Sequence, residues 1–146
     1  MSTTPTLLHV TNGDVAAELS PRAGLGGEVP PWRDVLHEGP VPAGHDPAGL
    51  NRTRARFIAD RGWADFDGVL RDLEERDRAL VEAAAGGGEV VLWFEHDLYD
   101  QLQLLQALDL LAERAADRGR VSLVCLGGFP GVEPSHGLGQ LTPEQI

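Results

Sequence analysis

The sequence predicts a three-layer α/β domain with a mainly parallel, four-stranded sheet and helices on both faces, Rossmann-like or flavodoxin-like. Three observations predict it. Apolar runs of strand length alternate with segments of helical period along the chain. Two of these runs, residues 89–94 and 121–126, are apolar at consecutive positions, the pattern of a strand covered on both faces. Each run stops at glycine or at a polar cluster, which marks the turns.

Taken in order, Leu7-Leu8-His9-Val10 is a first strand, ending at Thr11-Asn12-Gly13-Asp14. Residues 15–19 have helical character until Ser20-Pro21, and residues 24–27 form a loop. Residues 28–32 read as a short second strand whose prolines put it at an edge or shorten it. Residues 33–50 carry Pro40, Pro42 and Pro47 and predict an ordered functional loop. A helix over 51–61 turns Phe57 and Ile58 inward. Phe66, Val69, Leu70, Leu73 and Leu80 recur at helical spacing until Gly86-Gly87-Gly88 stops the helix. The strand over 89–94 follows. The longest helix is expected over 98–118, with Leu98, Leu102, Leu105, Leu108 and Leu111 along one side and Asp97 as its cap. A second buried strand over 121–126 leads into a loop over 127–139, and Thr142-Pro143-Glu144-Gln145 has the form of a helix start.

At 146 residues the chain is expected to be one domain, 1–146, and possibly the N-terminal part of a longer protein. Charged residues make up 24% and the net charge is −11, with no lysine and all 12 basic residues arginine. Lysine Schiff-base chemistry is therefore excluded. Nucleic acid is not an expected partner, because phosphate neutralisation needs a basic surface. No apolar run has the length of a membrane span, and the N-terminus lacks a basic region followed by an apolar stretch. The expected compartment is the cytoplasm, where a single cysteine, Cys125, makes no disulfide within the chain.

Open parallel sheets bind ligands outside the carboxyl ends of their strands, and four polar clusters fall there. Asn12 and Gly13 can offer backbone N–H groups to an anion, with Asp14 as a carboxylate beside them. Arg33 and Asp34 precede His37-Glu38 in the loop after the second strand. Glu95, His96 and Asp97 follow the third strand, with Tyr99, Asp100 and Gln101 close behind. His136 follows the glycine-rich loop after the fourth strand. Asp97, Asp100 and Thr11 also serve as helix caps, which explains them structurally. His96 is the candidate general acid or base, oriented by Glu95 or Asp97, with His37 and Glu38 closing the site. Arg33, Arg54 and Arg56 are candidates for gripping an anion, although Arg54 and Arg56 also fit a solvated helix face. Trp32 and Trp63 are candidates for the rim. A divalent metal is an open alternative: His37, His96 and His136 would suit a zinc-type site, and Asp14, Asp34 or Asp97 a harder cation.

These strings resemble a bacterial family catalogued as domain of unknown function 1835, over nearly the whole chain. The resemblance rests on residues 8–14 (LHVTNGD), 31–40 (PWRDVLHEGP), 54–57 (RARF), 92–102 (LWFEHDLYDQL) and 136–139 (HGLG). It implies an N-terminal domain of a longer protein and carries no activity with it. Where the family usually has a small polar residue after Asn-Gly-Asp, this chain has Val15. The expectation is an enzyme acting on a small anionic substrate, phosphorylated or nucleotide-like, by hydrolysis or group transfer. The alternative is a non-catalytic small-ligand-binding or sensory module.

Overall fold

The structure, a computed structural model, describes residues 6–13, 17–18, 22–115, 119–128, 130–133 and 140–146. Four strands, β1 (Leu7–Asn12), β2 (Pro31–Trp32), β3 (Glu89–Glu95) and β4 (Arg120–Leu126), form one all-parallel sheet in the order β2-β1-β3-β4. Among the described residues three helices, α1 (Pro47–Asp60), α2 (Phe66–Ala85) and α3 (Leu98–Arg114), stand with this sheet in the α/β arrangement that the sequence predicts. The chain moves from β1 to β2 on one side and then crosses to β3 on the other. The strand order therefore reverses between β1 and β3, where such sheets open a crevice.

Strand alternation sorts the side chains into two faces. Leu8, Val10, Val90, Leu92 and Phe94 share one face and are fully buried against Leu80, Ala83 and Ala84 of α2 and Leu104, Ala107, Leu110 and Leu111 of α3. Trp32 joins this core, its Nε1–H donating to Gln106 Oε1 at 2.9 Å.

The helices begin where carboxylates cap them. Asp46 accepts from Gly49 N at 2.8 Å with Pro47 in the first turn, so α1 starts four residues before the expected Asn51. Asp65 caps α2 in the same way, accepting from Gly68 N at 2.8 Å. α2 spans 20 residues and α3 spans 17, so the longest helix is α2 and not the one expected over 98–118. Thr142 opens only a short 3-10 turn, Pro143–Gln145. The helix expected over 15–19 falls largely outside the described residues.

Two expectations about burial are corrected. β4 is an exposed edge strand, with Val121 46% and Leu123 52% exposed, not a strand covered on both faces. A consecutive apolar run reads the same whether or not anything lies over it. On α3 the buried side is set by Gln103, Leu104, Ala107, Leu110 and Leu111, while Leu98, Leu105 and Leu108 face outward. Leucines occupy both sides of that helix, so periodicity alone could not choose between them. No described helix is long and apolar enough to cross a membrane.

His9 lies on the opposite face of β1, buried, with Nδ1 accepting from Trp93 Nε1 at 3.0 Å. That bond fixes the neutral tautomer with its proton on Nε2. Burial pushes the His9 imidazole below its ordinary value, against the Gly26 backbone and the Glu89 carboxylate, which pull it up. The folded state thus binds this proton less readily than the unfolded chain. Stability from His9 is present above the ordinary value of about 6.5 and falls as pH drops below it. His9 ring resonances in an NMR titration are expected to titrate below that value, and titration at or above it would contradict the assignment.

Candidate functional site at the carboxyl ends of the strands

The rim at the β1–β3 reversal is tied together by the first turn of α3. Asp97 caps the helix, its Oδ1 accepting from Tyr99 N at 2.8 Å and Asp100 N at 3.1 Å. Asp100 turns inward and is buried. Its Oδ1 accepts from Asn12 Nδ2 at the end of β1, and its Oδ2 from Glu95 N at the end of β3, at 2.6 Å. Gln101 Nε2 donates to the Glu95 carbonyl at 2.7 Å, so both backbone groups of Glu95 are held. Burial pushes the Asp100 carboxyl above its ordinary range, and repulsion from Asp97 adds to this; the Glu95 and Asn12 donors oppose it.

The loop after β2 is built around one arginine. Arg54 is 0% exposed, and all five of its N–H donors are used. Nε and one Nη2 donor meet the Asp34 carboxylate, Oδ1 at 3.1 and 2.8 Å respectively. The other Nη2 donor meets Val35 O at 2.9 Å, and Nη1 meets Glu38 O at 2.8 Å and Pro40 O at 3.2 Å. Between those last two carbonyls Gly39 has φ +78°, and a Cβ there would lie 2.6 Å from the Phe57 ring. Asp34 also accepts from Val35 N at 2.7 Å, and its carbonyl accepts from Gln103 Nε2 at 2.8 Å, which fastens the loop to α3.

This frame presents His37 to Tyr99, ring centroids 4.4 Å apart and edge to face at 74°. His37 Nε2 is 3.6 Å from Glu38 Oε1, and Glu38 Oε2 is 3.7 Å from an Arg61 Nη. The second and third polar clusters therefore meet through His37 and Tyr99. A cavity of about 370 Å³ opens at the ends of β1 and β2, lined by Asn12, Gly13, Arg33, Asp34 and Val35 and walled by the α1–α2 hairpin. Arg33 Nη1 stands 3.7 Å from Asp72 Oδ2 at this cavity.

Several sequence-based assignments change. Arg54 was expected to grip substrate or face solvent. It is buried and grips the protein's own loop, with no donor left over. Asp34 is likewise committed to Arg54. Arg56 lies over the Phe66 ring at 4.4 Å, beside Pro40 and Phe57 in a different hollow from Arg33. Asp100 and Gln101, expected to touch substrate, instead tie the strand ends. Asp97 is a cap with its Oδ1 committed. His96 is exposed, and its imidazole lies beside Gly127 after β4, 3.4 Å from where a Cβ would stand. Asp14 and His136 lie outside the described residues.

Among the described residues, the group able to hold a cation is Glu95, Asp97 and Asp100, with one oxygen from each within 4.8 Å of the others. Three carboxylates suit a hard cation rather than zinc. Both Asp100 oxygens and Asp97 Oδ1 already accept N–H groups. His37 and His96 do not join this group, and His136, the third histidine of the expected zinc-type arrangement, lies outside the described residues. Sequence reasoning missed Arg61, Asp72, Ile58, Val69 and Leu73, which lie on the hairpin and reach the rim only through tertiary packing. Trp63, which also lines the cavity, carried a signal as an unplaced tryptophan. Comparison with family models, curated proteins and solved structures finds no match for this chain.

Proposed function

We propose that the chain is a cytoplasmic enzyme acting on a small anionic substrate, phosphorylated or nucleotide-like, by hydrolysis or group transfer at the carboxyl edge of the sheet. The observation that carries this reading is the setting of His37. An imidazole held between the Glu38 carboxylate and the Tyr99 ring has the partners of a general acid–base group. It follows Arg33, Asp34 and Val35, which line the cavity together with Asn12 and Gly13, and stands beside that cavity rather than in its wall. His37 moves the proton, Glu38 stabilises the imidazolium, and Arg33 exchanges Asp72 for the anion. His96, exposed over Gly127, has a secondary part.

The test is turnover of phosphomonoesters and nucleotides, with and without Mg²⁺, by wild type and His37→Ala. Loss of proton transfer removes about 100-fold or more of the rate, while Tm stays unchanged because His37 is partly exposed. Turnover that survives His37→Ala would refute the role. The second reading, a non-catalytic small-ligand-binding module, is favoured by the apolar lining of much of the cavity. It predicts ligand-induced stabilisation without turnover.

A further inference from the structure

We propose that the ligand of this rim carries a planar aromatic ring, and that the ring enters the 370 Å³ cavity between β2 and the α1–α2 hairpin. The inference rests on the reading of the rim as an anionic-substrate site and deepens it by naming the substrate class, a nucleobase- or aryl-bearing anion.

Three observations carry it. First, the cavity is divided by chemistry. Trp32, Val35, Ile58, Trp63, Val69 and Leu73 give it an apolar wall, whereas Asn12, Gly13 and the Arg33–Asp72 pair give it polar groups. A ligand that fills both parts must be divided in the same way. Second, its volume falls within the roughly 300–1,000 Å³ of small-molecule sites, which leaves room for a ring and the start of its substituent. Third, Trp63 is 51% exposed yet held in place. Its ring meets Phe57 edge to face at 5.9 Å and 87°, and the Arg61 guanidinium stands 5.8 Å from its centroid. A large indole fixed at a cavity mouth offers a preorganised stacking surface. An aliphatic group could cover the same area, but it would not gain the stacking.

The charges at the polar end limit affinity in a definite way. Asp34 is neutralised by Arg54, whereas Asp72 competes with any anion for Arg33. Asp72→Asn therefore tightens binding of an anion and leaves binding of an uncharged ring unchanged. Asp72 is about half exposed, so the substitution is compatible with folding.

The experiment measures dissociation constants by calorimetry for adenosine 5′-monophosphate, ribose 5-phosphate and adenosine, against wild type, Trp63→Ala, Trp63→Phe and Asp72→Asn. Adenosine 5′-monophosphate is expected to bind at least about tenfold tighter than ribose 5-phosphate, the scale of one stacked base. Trp63→Ala should remove that advantage and Trp63→Phe restore most of it. Equal affinity for the two phosphates overturns the ring site and leaves the anionic-substrate reading standing. Adenosine binding as tightly as its monophosphate, with no response to Asp72→Asn, supports the ring site and overturns the anionic reading. Binding of none of the three overturns the ring site.

Discussion

Arg54→Leu is expected to cost about 3–5 kcal/mol of folding stability and to release the loop that carries His37. The cost does not come from losing a favourable ion pair as such. A buried salt bridge is roughly balanced between attraction and desolvation. It comes from what is left behind: the Asp34 carboxylate without its cation, and the Val35, Glu38 and Pro40 carbonyls without their donor. Arg54→Lys should recover only part of the loss, because one ammonium cannot span a carboxylate and three carbonyls set in a fork. The double substitution Arg54→Leu with Asp34→Leu should cost clearly less than the sum of the singles, since neither charge is then stranded. Urea denaturation of wild type, Arg54→Leu, Arg54→Lys, Asp34→Leu and the double variant measures this. An Arg54→Leu variant within about 1 kcal/mol of wild type would mean the loop is held by something else. The functional consequence follows from the geometry. His37 meets Tyr99 only while Glu38 and Pro40 are anchored around Gly39, so Arg54→Leu should also lower any activity that depends on His37.

The strand ends were legible in the sequence because polar clusters interrupt apolar runs, and the alternation of runs with helical segments fixed the parallel order. Which polar residues face the ligand was not legible. Arg54 and Arg56 lie two residues apart on one helix, and nothing in composition says that the first is buried beneath a loop while the second lies over Phe66. That distinction depends on residues 34–40 folding back onto α1, a contact between segments 14 to 20 positions apart. Asp97 and Asp100 read as caps, and the capping part holds for Asp97. Asp100 differs because β1 and β3 become neighbours only in the folded sheet, and only then do Asn12 and Glu95 bring it two donors. The exposure of β4 is illegible in the sequence for a related reason. Its apolar pattern describes the strand, whereas its exposure describes what lies over it. Trp63 was legible as a candidate for the rim, but not its place against Phe57 and Arg61 where α1 ends, nor the cavity that it lines with Leu73 of α2.

Asp100→Asn is expected to cost about 1–3 kcal/mol at neutral pH, although it removes only a charge. Wild-type Asp100 presents two acceptor oxygens to two donors, Asn12 Nδ2 and Glu95 N. The amide presents one acceptor and one donor, so one strand end must face a donor with a donor. Against this loss stands a gain, since the charge that burial disfavours is gone. The variant still loses because its amide sets an N–H against a buried N–H, whereas a protonated carboxyl keeps acceptor capacity on both oxygens. The pH dependence separates the two contributions. The Asp100 carboxyl lies above its ordinary range in the folded protein, so the native state binds this proton more tightly than the unfolded chain. Wild-type stability from this group therefore declines as pH rises from the ordinary carboxylate value, about 3.9, through the raised folded value, and is level above it. Asp100→Asn cannot titrate, and the other carboxylates contribute alike to both proteins. The advantage of wild type over the variant should accordingly widen as pH falls and narrow as it rises, the reverse of an ordinary surface aspartate. Unfolding free energies of the two proteins across the acidic range measure the difference directly. A constant gap would show that Asp100 does not titrate between the strand ends, and a gap that narrows toward acid would show that its donors outweigh its burial.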